Sequence, residues 1–297
     1  MQRFLCVRCG RSFSETQPLD GLRLDHSKVV QIVRCLTEGV GIRATARLVD
    51  CDPHTVLDVL GTVGEKCERL HDKWIRDIKS SSLQIDELWA RVGVRESRRP
   101  HGDDEQGDFY TFLALATREK LIVSQYTGKR NAISTDFFVA DVAKRVSGQI
   151  QVTTDAWHAY PDTIRRYLLE RLDYAVMQKK YATTPGVVQA ARRYSPAPYV
   201  GVTIETIAGA PRADRICTSH VERCNLTVRH FNKRFVRLGL GWSRKLENHR
   251  ASVALFVAAY NFCKVHTTMG CTPAVALKLT DHTWKVEELI DEAAKSA

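Results

Sequence analysis

The stretch "TSHVERCNLTVRHFNKRF", Thr218 to Phe235, holds one carboxylate, Glu222, among Arg223, Arg229, Lys233 and Arg234; widened to Arg215–Lys245, it still holds no other acid. Two further acids stand in apolar, strand-like surroundings: Asp86 in "LQIDELW" and Asp155 in "IQVTTDAW". A carboxylate within or at the end of a strand is costly to bury unless positive charge lies beside it, and the simplest such partner is a metal ion. Three carboxylates from two strands and a helix suit metal-assisted phosphoryl transfer. Mg2+ or Mn2+ takes hard oxygen ligands and keeps positions open for water and phosphate, and two such ions stabilise the attacking and leaving oxygens of an in-line displacement. To share the ions the carboxylates must converge to roughly 4–8 Å, given metal–oxygen bonds of about 2.1 Å and paired ions about 4 Å apart. The competing readings are structural: Asp155 caps the turn into "AWHAYPDT", and Glu222 pairs with Arg229 on a solvated face.

If the stretch from His220 to Phe235 is helical, Glu222, Asn225, Arg229 and Lys233 recur at three- and four-residue steps and line one face. Val221, Cys224, Val228, Phe231 and Phe235 line the opposite face, which can pack on a sheet. The polar stripe then faces outward, and its basic residues, with Arg234, hold a DNA backbone beside the metals.

The charge of the whole chain agrees with such a partner. Its 297 residues carry a formal +10, which favours a polyanion, nucleic acid first and a membrane surface second. No apolar run reaches the roughly 20 residues of a membrane span, and "ASVALFVAAYNFC" reads as a buried helix. The start, "MQRFLCVRCG", has no apolar signal region, so a cytoplasmic location is expected. Nine cysteines, scattered apart from Cys6 and Cys9, read as reduced thiols. Cys6 and Cys9 form one C-x2-C pair, half of a tetrahedral zinc site, without a second pair upstream.

These residues need elements to position them. Residues 1–20 form a partial zinc-ribbon segment and 21–79 a helical region. In the latter, Val29, Val30, Val33 and Leu36 mark one helix stopped by "EGVG", "IRATARLV" a second with small Ala44 and Ala46 at the crossing, and "HTVLDVLGTV" a third with Asp52 as N-cap and Pro53 in its first turn. That pattern is a helix-turn-helix, with His54 and Thr55 assigned to DNA contact at the start of the third helix. A connecting helix, "EKCERLHDKWIRDIK", leads into residues 80–265, an α/β unit. Its strands are "SLQIDELWARVGVR", "DFYTFLALATR", "KLIVSQYTGK", "IQVTTDAW" and "YAVMQ". Its helices are "STDFFVADVAKRVSG", capped by Ser134 or Thr135, then "PDTIRRYLLERL" and a final long one, which together make a mixed sheet covered by helices. The region from about Lys179 to Cys217 is left unassigned, and 266–297 reads as a C-terminal tail.

"IDELWARV", "VTTDAWHAYP" and "TSHVERCNLTVRHFNKRFVRLGLGWSRKLENH", followed by "AAYNFCKVHTTMGCTPAVALKL", closely resemble transposases of the IS1 family of bacterial insertion sequences. The resemblance runs from "RFLCVRCGRSF" nearly to the C-terminus. It implies a zinc ribbon, a helix-turn-helix and an RNase H-like domain whose DDE triad is Asp86, Asp155 and Glu222, with Asn225 and Arg229 as helix-face neighbours that hold DNA or organise the site. It also implies binding to terminal inverted repeats, metal-dependent strand cleavage, attack of the freed 3′-hydroxyl on target DNA, and homo-oligomers assembled on DNA. Two departures stand out. The family's upstream C-x2-C is missing, which points to a start further upstream or a truncated copy, and Asp50 replaces the commoner Gly of the helix-turn-helix turn, a substitution that tolerates the left-handed conformation.

A noncatalytic DNA-binding repressor or inactive remnant, and a related RNase H-like nuclease, are the other function classes weighed. Trp89 and Trp157 read as packing around the site, His158 and His220 as hydrogen-bonded neighbours, and Tyr260, Asn261 and His266 as packing residues with a DNA contact in reach.

Overall fold

A computed structural model describes residues 3–14, 19, 22–182, 198–236 and 239–296 of the chain. Two three-residue strands, β1 (Arg3–Leu5) and β2 (Ser12–Ser14), pair as an antiparallel hairpin around the Cys6–Cys9 turn. The boundary expected at about Asp20 lies outside the described residues. Three helices follow: α1 (His26–Thr37), α2 (Ile42–Val49) and α3 (Pro53–Trp74). Asp50 ends α2 at φ 51°, the left-handed conformation anticipated for it, and Asp52 caps α3 by accepting the His54 N–H at 2.7 Å.

The two segments read as separate helices after Asp52 are one rod of 22 residues. Gly61 and Gly64 lower helix propensity, but Val56, Val59, Leu60, Val63, Cys67 and Leu70 are all buried along one side, and that packing outweighs two glycines. The rod stops at Trp74 rather than continuing through "IRDIK", because Arg145 Nη1 donates to the His71 and Ile75 carbonyls at 3.3 and 3.2 Å.

Beyond it lies a sheet of six strands: β3 (Ser82–Val92), β4 (Gly107–Ala116), β5 (Leu121–Gly128), β6 (Ile150–Thr154), β7 (Leu172–Tyr181) and β8 (Tyr199–Ala208). Their order is β5-β4-β3-β6-β7-β8, with β6 parallel to both β3 and β7 and the remaining pairs antiparallel. Helices α4 (Ala132–Arg145) and α5 (Tyr160–Leu168) cover one face, where Phe112 of β4 meets Phe138 of α4 at 5.6 Å between ring centroids. The cap of α4 is Asn131, whose side chain accepts the Ser134 N–H, rather than Ser134 or Thr135. On the opposite face Leu88, Ala90, Leu113 and Ile122 pack against α6 (Ser219–Phe231) and α7 (Leu246–Phe262). This is a mixed parallel and antiparallel sheet flanked by helices, compatible in general terms with an RNase H-like fold.

Strand β8, on the far edge, lies in the region left unassigned from sequence, and β7 starts two residues before the expected "YAVMQ" and runs three past it. The stretch expected to be a tail carries α8 (Pro273–Ala276) and α9 (Val286–Ala294). Trp284 stacks on Phe262 with centroids 4.4 Å apart, Leu289, Ile290 and Ala293 are buried, and Glu287 pairs with Arg34 of α1. Among the described residues no helix is long and apolar enough to cross a membrane.

Candidate active site

The site follows from unequal strand lengths. Strand β6 has five residues, while its neighbours β3 and β7 have eleven and ten. The last paired positions are Ile85 with Thr154 and Thr154 with Val176, so β3 and β7 run on past the end of β6. Two strand spacings, about 9.6 Å, then separate them across a notch. Asp86 is the first residue of β3 beyond the pairing, and Asp155 is the first residue after β6, so the parallel register places them side by side at its base. Helix α6 lies over one face of the notch. A cavity of about 340 Å³ results, with Asp86, Asp155, Lys179, Thr218, Glu222 and Arg130 in its wall.

Alternation along β3 turns Asp86 toward α6 and Glu87 toward α5. Because β6 has ended, Glu87 still reaches the notch, and one carboxylate oxygen each from Asp86, Glu87 and Asp155 lie within 4.8 Å of one another. Arg130 neutralises part of this charge: its Nε and Nη2 stand 2.5 Å from Glu87 Oε1, and Nη2 lies 3.7 Å from Asp155 Oδ2. The guanidinium is stacked over Trp157 at 4.1 Å, and Tyr160 donates to Glu87 Oε2 at 2.9 Å. Burial pushes the Asp86 carboxyl up to about 7, and the charges of Glu87 and Asp155 add to the shift. Burial raises Glu87 and Asp155 as well. Acids held this close are stabilised by a cation that can approach them. Three hard carboxylate donors suit a divalent ion such as Mg2+ or Mn2+.

Glu222 projects from the first turn of α6 into the same cavity without joining the cluster of three. Lys179 Nζ donates to both of its oxygens, at 2.6 Å to Oε2, and Thr218 Oγ1 donates to Oε1 at 2.7 Å. The helix itself is pinned by Gln84, two residues before Asp86 on the same face of β3, whose Oε1 accepts the His220 and Val221 N–H groups at 2.9 and 3.0 Å. Asp155 also fills its structural role: Oδ1 accepts the Trp157 N–H at 3.0 Å, so capping and a place in the acid cluster coexist.

The outward stripe expected on this helix needs correction. Asn225 is buried and donates through Nδ2 to Asp86 Oδ2 at 2.7 Å, so it braces the aspartate from beneath. Helix α6 ends at Phe231, and Lys233 and Arg234 lie in a following 3-10 turn instead of continuing the face that Arg229 occupies. Arg234 is drawn inward, donating to Ser243 Oγ at 2.7 Å, and burial lowers its guanidinium to about 10. Asn261 clamps the Ile122 backbone N–H and carbonyl at 3.0 and 2.9 Å, a packing role.

Around a second cavity, about 770 Å³, the structure gathers residues far apart in sequence: Arg43 and Arg47 of α2, His54 of α3, and Lys233, Arg234 and Arg244. Among the described residues no acidic residue stands in its wall, and none of these five Arg and Lys side chains joins an ion pair. Thr55 is half-buried on α3 outside that wall. At the N-terminus, backbone N–H groups of Arg8 and Cys9 lower the Cys6 thiol, yet no described group of three metal-ligating side chains includes Cys6 or Cys9.

Sequence reading missed Glu87, Gln84, Arg130 and Lys179. The available signal was two consecutive acids, Asp86 and Glu87, inside the apolar run from Leu83 to Leu88. No family model and no curated protein matches the chain. Among solved structures it is similar to a piggyBac transposase in a synaptic complex with hairpin DNA, at 10% identity over 91% of this chain and 69% of that one, with a TM-score of 0.39. At that score the likeness bears on neither fold nor activity.

Proposed function

We propose that the chain is a transposase of the IS1 family type, a metal-dependent enzyme that cuts and joins DNA strands. The observation that carries this reading is the notch past β6, where Asp86, Glu87 and Asp155 bring carboxylate oxygens within 4.8 Å and Glu222 enters the same cavity. In the RNase H-like arrangement this implies, Asp86, Asp155 and Glu222 are the triad, with Glu87 held as the anchor of Arg130. Divalent ions, when bound, supply an activated nucleophile and charge stabilisation at phosphorus. The protein's own part is to hold the carboxylates in register through Gln84, Asn225 and Arg130, and to keep cationic side chains nearby for the phosphates. The basic cavity with Arg43, Arg47, His54 and Lys233 supports DNA as the partner, since uncompensated cations in a concave wall attract a polyanion. Assembly as homo-oligomers on element ends and a cytoplasmic location belong to the same reading.

The test is Mg2+- or Mn2+-dependent cleavage of DNA carrying the element ends. Glu222→Gln is expected to abolish cleavage and leave DNA affinity within about two-fold, as loss of one metal ligand leaves the phosphate contacts intact. Undiminished cleavage by this variant would exclude the role given to Glu222. A second reading, a DNA-binding repressor without catalysis, is favoured by one feature: Glu222 is held by Lys179 and stands outside the cluster of three acids. Salt-dependent DNA binding with no cleavage at any metal concentration would select it.

A further inference from the structure

Lys179 lies on β7 beyond the end of β6, on the side of the notch opposite Asp86. Its neighbours Gln178 and Lys180 are exposed, whereas Lys179 is half-buried and turned under α6. There its ammonium donates to both oxygens of Glu222, and Thr218 donates to Oε1 from the other side. Between them the two donors engage the very oxygens a divalent ion would need. Strand alternation puts residues 175, 177 and 179 on one face of β7, and Glu222 sits in the first turn of α6, within reach of the third of them.

We propose that Lys179 is a built-in competitor for the metal. Its ammonium and a divalent ion exclude each other on the Glu222 carboxylate, so Glu222 completes the acid site only when Lys179 lets go. This rests on the reading of Glu222 as a metal ligand. The exchange breaks no covalent bond: one cation replaces another on the carboxylate, and the released side chain moves aside to the cavity wall. Lys179 is thus a positioning residue that sets how readily the site loads.

The experiment is Mn2+ titration of the full chain after chelator treatment, with free Mn2+ read by electron paramagnetic resonance. Lys179→Met and Lys179→Gln, two independent ways of removing the cation, are expected to bind Mn2+ about five-fold more tightly, the scale of a partly exposed ion pair. Lys179→Arg, which keeps the charge, stays within about two-fold of wild type on the same scale. In a Glu222→Gln background the gain from Lys179→Met disappears. Unchanged or weaker Mn2+ binding in Lys179→Met and Lys179→Gln overturns the proposal, and so does a gain that persists without the Glu222 carboxylate. Asp86→Asn separates the two levels: if it binds Mn2+ as wild type does, the acid cavity is no metal site and the functional reading fails with it.

Discussion

Asp86→Asn is expected to stabilise the fold in the presence of a chelator at pH 8. In the folded chain the Asp86 carboxyl is raised from 3.8 to about 7 by burial, then by Glu87 and Asp155. At ~1.36 kcal/mol per unit, ionising it at pH 8 costs the fold at most about 4 kcal/mol. The three acids titrate as a coupled group and the notch admits water, so about 1–2 kcal/mol is the working figure. The sign follows from the direction of the shift. A folded pKa above the unfolded one contributes stability that is fully present below pH 3.8 and is lost as pH rises through about 7. Asparagine removes that loss and can still accept the Asn225 amide through its own carbonyl oxygen. Urea unfolding with chelator should therefore show the variant ahead at pH 8, with the gap narrowing as pH falls toward 5. Adding Mn2+ should stabilise wild type by mass action and shrink or reverse the gap. A variant equal to or weaker than wild type at pH 8 with chelator would refute the view that the acids repel one another and wait for a cation.

Two further perturbations probe the frame around the site. Arg130→Gln leaves Glu87, whose side chain is only 4% exposed, without its ion pair; a loss of about 3 kcal/mol is expected in urea unfolding, and a change below about 1 kcal/mol would mean that Tyr160 alone satisfies that carboxylate. Gly64→Ala places a Cβ 2.5 Å from the Ala251 carbonyl oxygen of α7, so α3 and α7 must separate; destabilisation of about 1–3 kcal/mol is expected, and a stabilised variant would show that the rods do not touch there.

Asp86, Asp155 and Glu222 were legible because each breaks its local pattern: two acids in apolar strand runs and one in a basic tract. Most of the sheet was legible because apolar and β-branched runs bounded by turn and charged residues marked the strands from β3 to β7. Strand β8 was not. Its residues Tyr199, Val200, Val202 and Ile204 are exposed, so neither burial nor alternation of polarity constrains them. Glu87 and Lys179 were hidden because their importance depends on where β6 stops, and strand ends are set by tertiary packing rather than by composition. Gly61 and Gly64 misled in the opposite direction: locally they argue for a break in α3, but a close helix crossing requires the second of them. The C-terminal stretch read as a tail because its helices are short; the Trp284 stack on Phe262 and the buried Leu289, Ile290 and Ala293 show that they finish the core.

Helix α6 ties the acid cavity to the basic one. Glu222 sits in its first turn and Phe231, in the wall of the basic cavity, in its last, a separation of about 14 Å at 1.5 Å per residue. Both ends are fixed. Gln84 of β3 holds the N-terminal amides, while at the other end Asn232 Nδ2 donates to the Ser252 carbonyl at 3.2 Å. There, too, the backbone of His230 passes so close to Gly39 that a Cβ at position 39 would lie 2.8 Å from its carbonyl oxygen. The loop between α1 and α2 is therefore packed against the end of the helix that carries Glu222. The helix that carries Glu222 is thus held at its start by the same strand that carries Asp86, and its end lines the basic cavity.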